Sequence, residues 1–155
     1  RRRIRRASQR QGRWVSMNPA KKYVHSFYSR FRGRVPLAAG VVPKVTKVYP
    51  FVFVDGNMPV GVMALATHDA IGPTSVQIFL IAAFETRRGH GSLMLRALCH
   101  EADRMRVSLR LQAEPQWARD EDLVLPDVLA AWYRGFGFQG RRVMIREPVH
   151  EAQHG

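Results

Sequence analysis

The feature that most constrains this chain runs from residue 76 to residue 114. An almost unbroken apolar run, "VQIFLIAAF", is followed by "ETRRGHGS", then by a segment of helical spacing, then by "VSLRLQAE". The apolar run reads as a strand, Val76 to Phe84, buried on both faces and central in its sheet. Leu95, Leu98, Ala102 and Met105 fall at i, i+3, i+7 and i+10, one stripe of a helix from Ser92 to about Met105. Val107, Leu109, Leu111 and Ala113 alternate with polar residues, the period of a half-buried strand. Strand, glycine turn, helix and strand in that order make a right-handed crossover between two parallel strands. The glycine turn then stands at the carboxyl end of the first strand.

The rest of the chain fits around that unit. At 155 residues it predicts one domain with its own core. "YPFVFV" and "VGVMALAT" predict strands from Thr46 to Val54 and from Val60 to Thr67, a hairpin about the Asp55-Gly56 turn signal. Tyr23, Phe27, Tyr28 and Phe31 follow a helical rhythm among basic residues. They form either a core-facing stripe or a stacking surface for single-stranded nucleic acid. "PQWARDEDLVLP" reads as a loop, Asp127 as the cap of a short helix reaching Phe136, and "RRVMIRE" as a closing strand.

Net charge is +13, and the first 16 residues hold seven arginines and no acid, leaving 18 basic against 12 acidic side chains beyond them. The expectation is a basic arm over 1–16, either solvated or touching phosphates, ahead of a domain over 17–155. No run approaches the roughly 18 to 20 apolar residues of a membrane span, and the start lacks a secretory apolar stretch. A single cysteine, Cys99, excludes an internal disulfide and a cysteine metal cluster, and no metal site is expected. A cytoplasmic protein is the expectation, and Cys99 inside the helix reads as a buried, inert thiol.

Gly89 and Gly91 allow a tight turn and close approach of backbone N–H groups to a ligand, and the helix behind them adds unpaired N–H groups and a positive dipole end. With Arg87 and Arg88 this makes an anion site suited to a phosphate or pyrophosphate; the bland alternative is a turn that merely packs. No Gly-Lys-Ser/Thr ending marks a triphosphatase loop, and no third glycine completes a dinucleotide fingerprint.

"RRGHGSLML" resembles the acyl-CoA motif Arg/Gln-x-x-Gly-x-Gly/Ala of the GCN5-related N-acetyltransferases (GNATs), with Arg88 and Gly91 in its first and fourth places and Leu93 where a small residue is usual. "AAWYRGFGF" resembles the family's later "FYxxxGF" signature, and "MIREP" is similar to acetyltransferase-like proteins of tailed bacteriophages. The resemblance spans about residues 45 to 147. It implies an α/β fold of one domain: a mixed, mostly antiparallel sheet with a central splayed parallel pair and flanking helices.

The resemblance further implies acetyl-CoA as cofactor, held by Arg87, Arg88, Gly89, His90, Gly91 and Ser92. Backbone N–H groups near Ile81, Ala82 and Ala83 would serve the acetyl carbonyl. The reaction is direct attack of an amine on the thioester, which needs a base, oxyanion donors and an acid. Tyr133 stands at the acid position; its alternative is a packed tyrosine. The apolar strand offers no base, so Glu114 at the end of the next strand is the best candidate, ahead of His68 and Asp69. His90 faces solvent or a phosphate. The acceptor is unidentified, and the basic charge favours an acidic protein or nucleic acid. The other reading is a binding protein that kept the fold and blocks a host protein or nucleic acid by contact.

Overall fold

The computed structural model describes residues 17–31, 47–85, 87–113 and 126–150. The basic arm and Glu114 lie outside the described residues. Helix α1 (Pro19–Phe31) starts where Asn18 Oδ1 accepts the Lys21 N–H at 2.9 Å, with Pro19 in the first helical position, where its missing N–H costs nothing. A further bond, from the Ala20 N–H to the Pro73 carbonyl at 2.9 Å, fixes this start to the loop before the third strand. Tyr23 and Phe27 are fully buried, and Phe27 lies against Phe31, Phe51 and Phe53. The aromatic stripe is therefore core, and the single-strand stacking reading of α1 falls.

Strands β1 (Lys47–Asp55) and β2 (Met58–Thr67) pair antiparallel through a two-residue turn, Gly56-Asn57, with Gly56 at φ +61°. β3 (Ser75–Ala83) follows, then α2 (His90–Met105), β4 (Ser108–Gln112), α3 (Pro126–Arg134), β5 (Gln139–Gly140) and β6 (Val143–Arg146). The sheet order is β1-β2-β3-β4-β6-β5, and among the described residues β3–β4 is the one parallel pair. This is the mixed, mostly antiparallel sheet that the family resemblance implies. Two details of the short helix differ: Pro126 opens α3, with Asp127 in the first turn rather than at the cap, and the helix ends at Arg134 instead of reaching Phe136.

Strand alternation places Phe51, Met63 and Ile81 in register on one face, and α1 and α2 cover it. Tyr23 Oη donates to the Leu98 carbonyl at 2.8 Å and joins the two helices. Gly61 is a close-approach glycine. A Cβ there would overlap the Ala82 carbonyl oxygen and lie 2.6 Å from Met94 Cε, so α2 packs tightly on β2 only because residue 61 has no side chain. Among the described residues no helix is long and apolar enough to cross a membrane.

Candidate cofactor site

The central strand is not buried on both faces along its length. β3 pairs with β4 only from Ser75 to Ile78, opposite Ser108 to Leu111. Beyond Ile78 the register with β2 slips by one residue, so that Leu80 faces Ala64 while Ile78 faces Leu65 and Phe79 is the extra, bulged residue. From Phe79 to Ala83 the edge toward β4 carries no ladder among the described residues, and Ile81, Ala82 and Ala83 lie along that edge. This is the splayed parallel pair that the resemblance implies; the bulge at its start left no sign, because the apolar run continues unchanged across it.

At the end of β3 the Phe84 N–H donates to the Val60 carbonyl at 3.0 Å, and the chain turns into α2. Arg87 takes φ +62° and Gly89 φ +73°, the left-handed conformation in which glycine has no steric penalty. The helix begins at His90, two residues earlier than its apolar stripe suggests. Its first internal bond runs from the Leu93 N–H to the Gly89 carbonyl at 3.0 Å. The N–H groups ahead of it have no intrahelical acceptor, Gly89 offers no side-chain cap, and the first turn carries no acid. His90 Nδ1 is sealed from solvent without a hydrogen-bond partner among the described residues. An orphaned polar atom among free backbone donors fits an anionic group.

Gly89, rather than Gly91, is the turning residue. Leu93, where the resembled motif usually has a small residue, packs partly buried against the core. Gly91 is helical, and a Cβ on it would make ordinary 3.7 Å contact with the Trp132 ring. Arg88 Nε pairs with Glu85 at 3.1 Å, both side chains being well exposed, so a phosphate has only a weak, solvated pair to displace.

α3 is brought to the same end. Trp132 Nε1 donates to Ser92 Oγ at 3.2 Å, and the neighbouring Tyr133 ring lies 4.9 Å from the Trp132 ring and 5.8 Å from Phe138. Tyr133 is buried, and desolvation pushes its pKa up to about 12. Its hydroxyl has no hydrogen-bond partner among the described residues. Trp132 carries no local signal of its role, because its partner Ser92 is 40 residues away.

His68 and Asp69 go elsewhere. They follow the last residue of β2, which runs antiparallel to β3, so they lie at the opposite end of the sheet from Ala83. His68 Nδ1 accepts the Ala70 N–H at 2.9 Å and caps a short 3-10 turn. Cys99 is buried, and burial raises its thiol pKa to about 11. Among the described residues no three His, Cys, Asp or Glu side chains are grouped to hold a metal.

No protein-family model matches the chain, and no curated protein matches it. Among solved structures it is similar to the anti-CRISPR protein AcrVA5, at 17% identity over 63% of this chain and 96% of that one, with a TM-score of 0.47. Tetrahymena GCN5 is similar at 10% identity over 72% and 74% of the two chains, with a TM-score of 0.45. A Bacillus subtilis acetyltransferase in complex with CoA is similar at 15% identity over 88% and 89%, with a TM-score of 0.44. At these scores the likenesses assign no activity to this chain. Its own strand order, single parallel pair and glycine turn at the open end are what the two motifs imply. The fold is GNAT-like. The upper half of β3 leads into the turn at 87–89 and the start of α2, and Trp132 ties α3 to that helix start.

Proposed function

We propose that the chain is an acyl-CoA-dependent N-acetyltransferase acting on an amine. The observation that carries this reading is the open edge of β3 running directly into a left-handed glycine turn and a helix start with unpaired N–H groups. In this reading the backbone N–H groups at Gly89 to Ser92 hold the pyrophosphate, with Arg87 and Arg88 adding charge. Acetyl-CoA, when bound, supplies an acetyl group activated as a thioester. Backbone donors along Ile81 to Ala83 take the charge that develops on the acetyl oxygen, at no reorganisation cost because the sheet fixes them.

Tyr133 gives its proton to the departing sulfur. A phenol at about 12 is fully protonated at working pH, which an acid must be. Its mismatch with an ordinary thiol narrows in a dry site, because burial that raises a phenol raises a thiol as well. Glu114 remains the proposed base, and an acidic macromolecule the proposed acceptor.

The test is mass analysis of candidate amines incubated with acetyl-CoA, with Tyr133→Phe as control. Acetylation that falls about 10- to 1,000-fold in the variant at unchanged CoA affinity supports the reading. CoA binding with no acyl transfer to any amine class would overturn it in favour of a binding protein of GNAT-like fold.

A further inference from the structure

Arg146 is a cation in a core-facing slot. It follows the fully buried Met144 by two residues on β6, so strand alternation turns it inward, and its side chain is only 8% exposed. A buried guanidinium is tolerated when a carboxylate neutralises it and its donors are satisfied. Here Nη1 and Nη2 donate to Asp103 Oδ1 and Oδ2 on α2 at 2.7 and 2.8 Å, while Nε donates to the Phe136 carbonyl at 2.7 Å. The Val149 N–H also donates to Asp103 Oδ1, at 2.8 Å. α2, β6 and the turn after α3 thus converge on one side chain.

That turn leads back to Tyr133. The N–H groups of Phe136 and Phe138 both donate to the Tyr133 carbonyl, at 3.0 and 3.3 Å. Gly137, between them, has φ +93°, and a Cβ on it would sit 3.4 Å from Arg146 Nε. Glycine at 137 therefore serves the left-handed turn, which lies directly against the guanidinium that holds the Phe136 carbonyl.

We infer that Arg146 is the positioning residue of Tyr133, holding the end of α3 through the Phe136 carbonyl while Asp103 anchors the guanidinium to α2. Arg146 does not touch the phenol; it fixes the turn from which the phenol's helix is hung. Lysine cannot replace it, because a single ammonium cannot pair bidentately with Asp103 and also reach Phe136. The inference builds on the proposed role of Tyr133, and its main readout is independent of catalysis.

The experiment is NMR of protein labelled at tyrosine Cζ, with the Tyr133 resonance assigned by Tyr133→Phe, and amide exchange in β1 and β2, at the other side of the sheet from β6, as the control for the rest of the fold. In the parent protein at pH 11 the Tyr133 phenol, at about 12, stays largely protonated. In Arg146→Lys, which keeps the positive charge, the Tyr133 titration should fall by about one pH unit or more toward the ordinary value near 10, while amide exchange in β1 and β2 keeps its rates. CoA affinity should stay within about 2-fold while turnover drops about 10-fold or more. A Tyr133 titration unchanged in folded Arg146→Lys, or a shift accompanied by faster exchange throughout β1 and β2, overturns the inference. If Arg146→Lys does not fold, Asp103→Asn, which leaves the bond to Phe136 but weakens its anchor, should shift Tyr133 by less with the same exchange in β1 and β2; no shift there overturns it equally. A Tyr133 shift with unaltered turnover would leave the positioning intact and remove Tyr133 from the chemistry.

Discussion

Ile78 and Phe79 are neighbours in one apolar strand, yet Ile78 is 4% exposed and Phe79 is 51% exposed. Ile78 belongs to the half of β3 that has β2 on one side and β4 on the other. Phe79 opens the half whose β4 side is bare. Hydrophobicity built the first half and decides nothing about the second, where the useful property is backbone left unpaired. The two halves divide the labour of the strand: one anchors the sheet, the other presents hydrogen-bonding groups and leads into the glycine turn.

The largest effect should separate these neighbours directly. Ile78→Ala removes a buried side chain from the core and should cost about 2 to 5 kcal/mol, whereas Phe79→Ala should change stability by about 0.5 kcal/mol or less. Denaturant unfolding of the two variants measures both, and equal costs would break the distinction. A somewhat smaller effect is expected where the open half leans on β2. Gly61→Ala forces a methyl against the Ala82 carbonyl and Met94, and should destabilise by about 1 to 3 kcal/mol. Unfolding no easier than in the parent protein would show that α2 does not need this close approach.

The smallest effect concerns the closed end, where α2 is held by acids. Burial alone would raise the Asp103 carboxyl, but the Arg146 hydrogen bonds and the Val149 N–H hold it below its ordinary value. Glu101, 2% exposed, is likewise opposed by burial and held low by Arg104 and Arg30. Carboxyls depressed in the folded state stabilise it above their unfolded values near 4, and that contribution is lost as pH falls through the folded values. Stability should therefore decline below about pH 4, less steeply in Asp103→Asn. Identical acid slopes in the two proteins would exclude Asp103 from this dependence.

How much of this could be read from the residues follows the same division. The helices, the hairpin and the parallel crossover were legible because burial imposes a period on the sequence. Even Arg146 left a trace, a charge two residues from Met144 where alternation demands an apolar side chain. The glycine turn was legible in kind and place, but two nearby glycines do not say which one takes φ above zero, and it is Gly89 that does. The bulge at Phe79 and the tie from Trp132 to Ser92 left no trace, because each depends on register or on contacts between distant elements. Gly61 stood in plain view inside a strand, a position where glycine signals close approach.

The central claim is that the open half of β3 and the turn behind it hold CoA, and calorimetric titration of CoA into the parent protein and Gly91→Val tests it most directly. The Cβ at residue 91 meets only the Trp132 ring at van der Waals distance, so a folded variant is expected. Its branched side chain would stand beside the N–H groups that a pyrophosphate must approach. The account predicts measurable CoA binding by the parent protein and a loss of about 10-fold or more in the folded variant. Equal affinity in the two, or no binding by the parent protein, would contradict it.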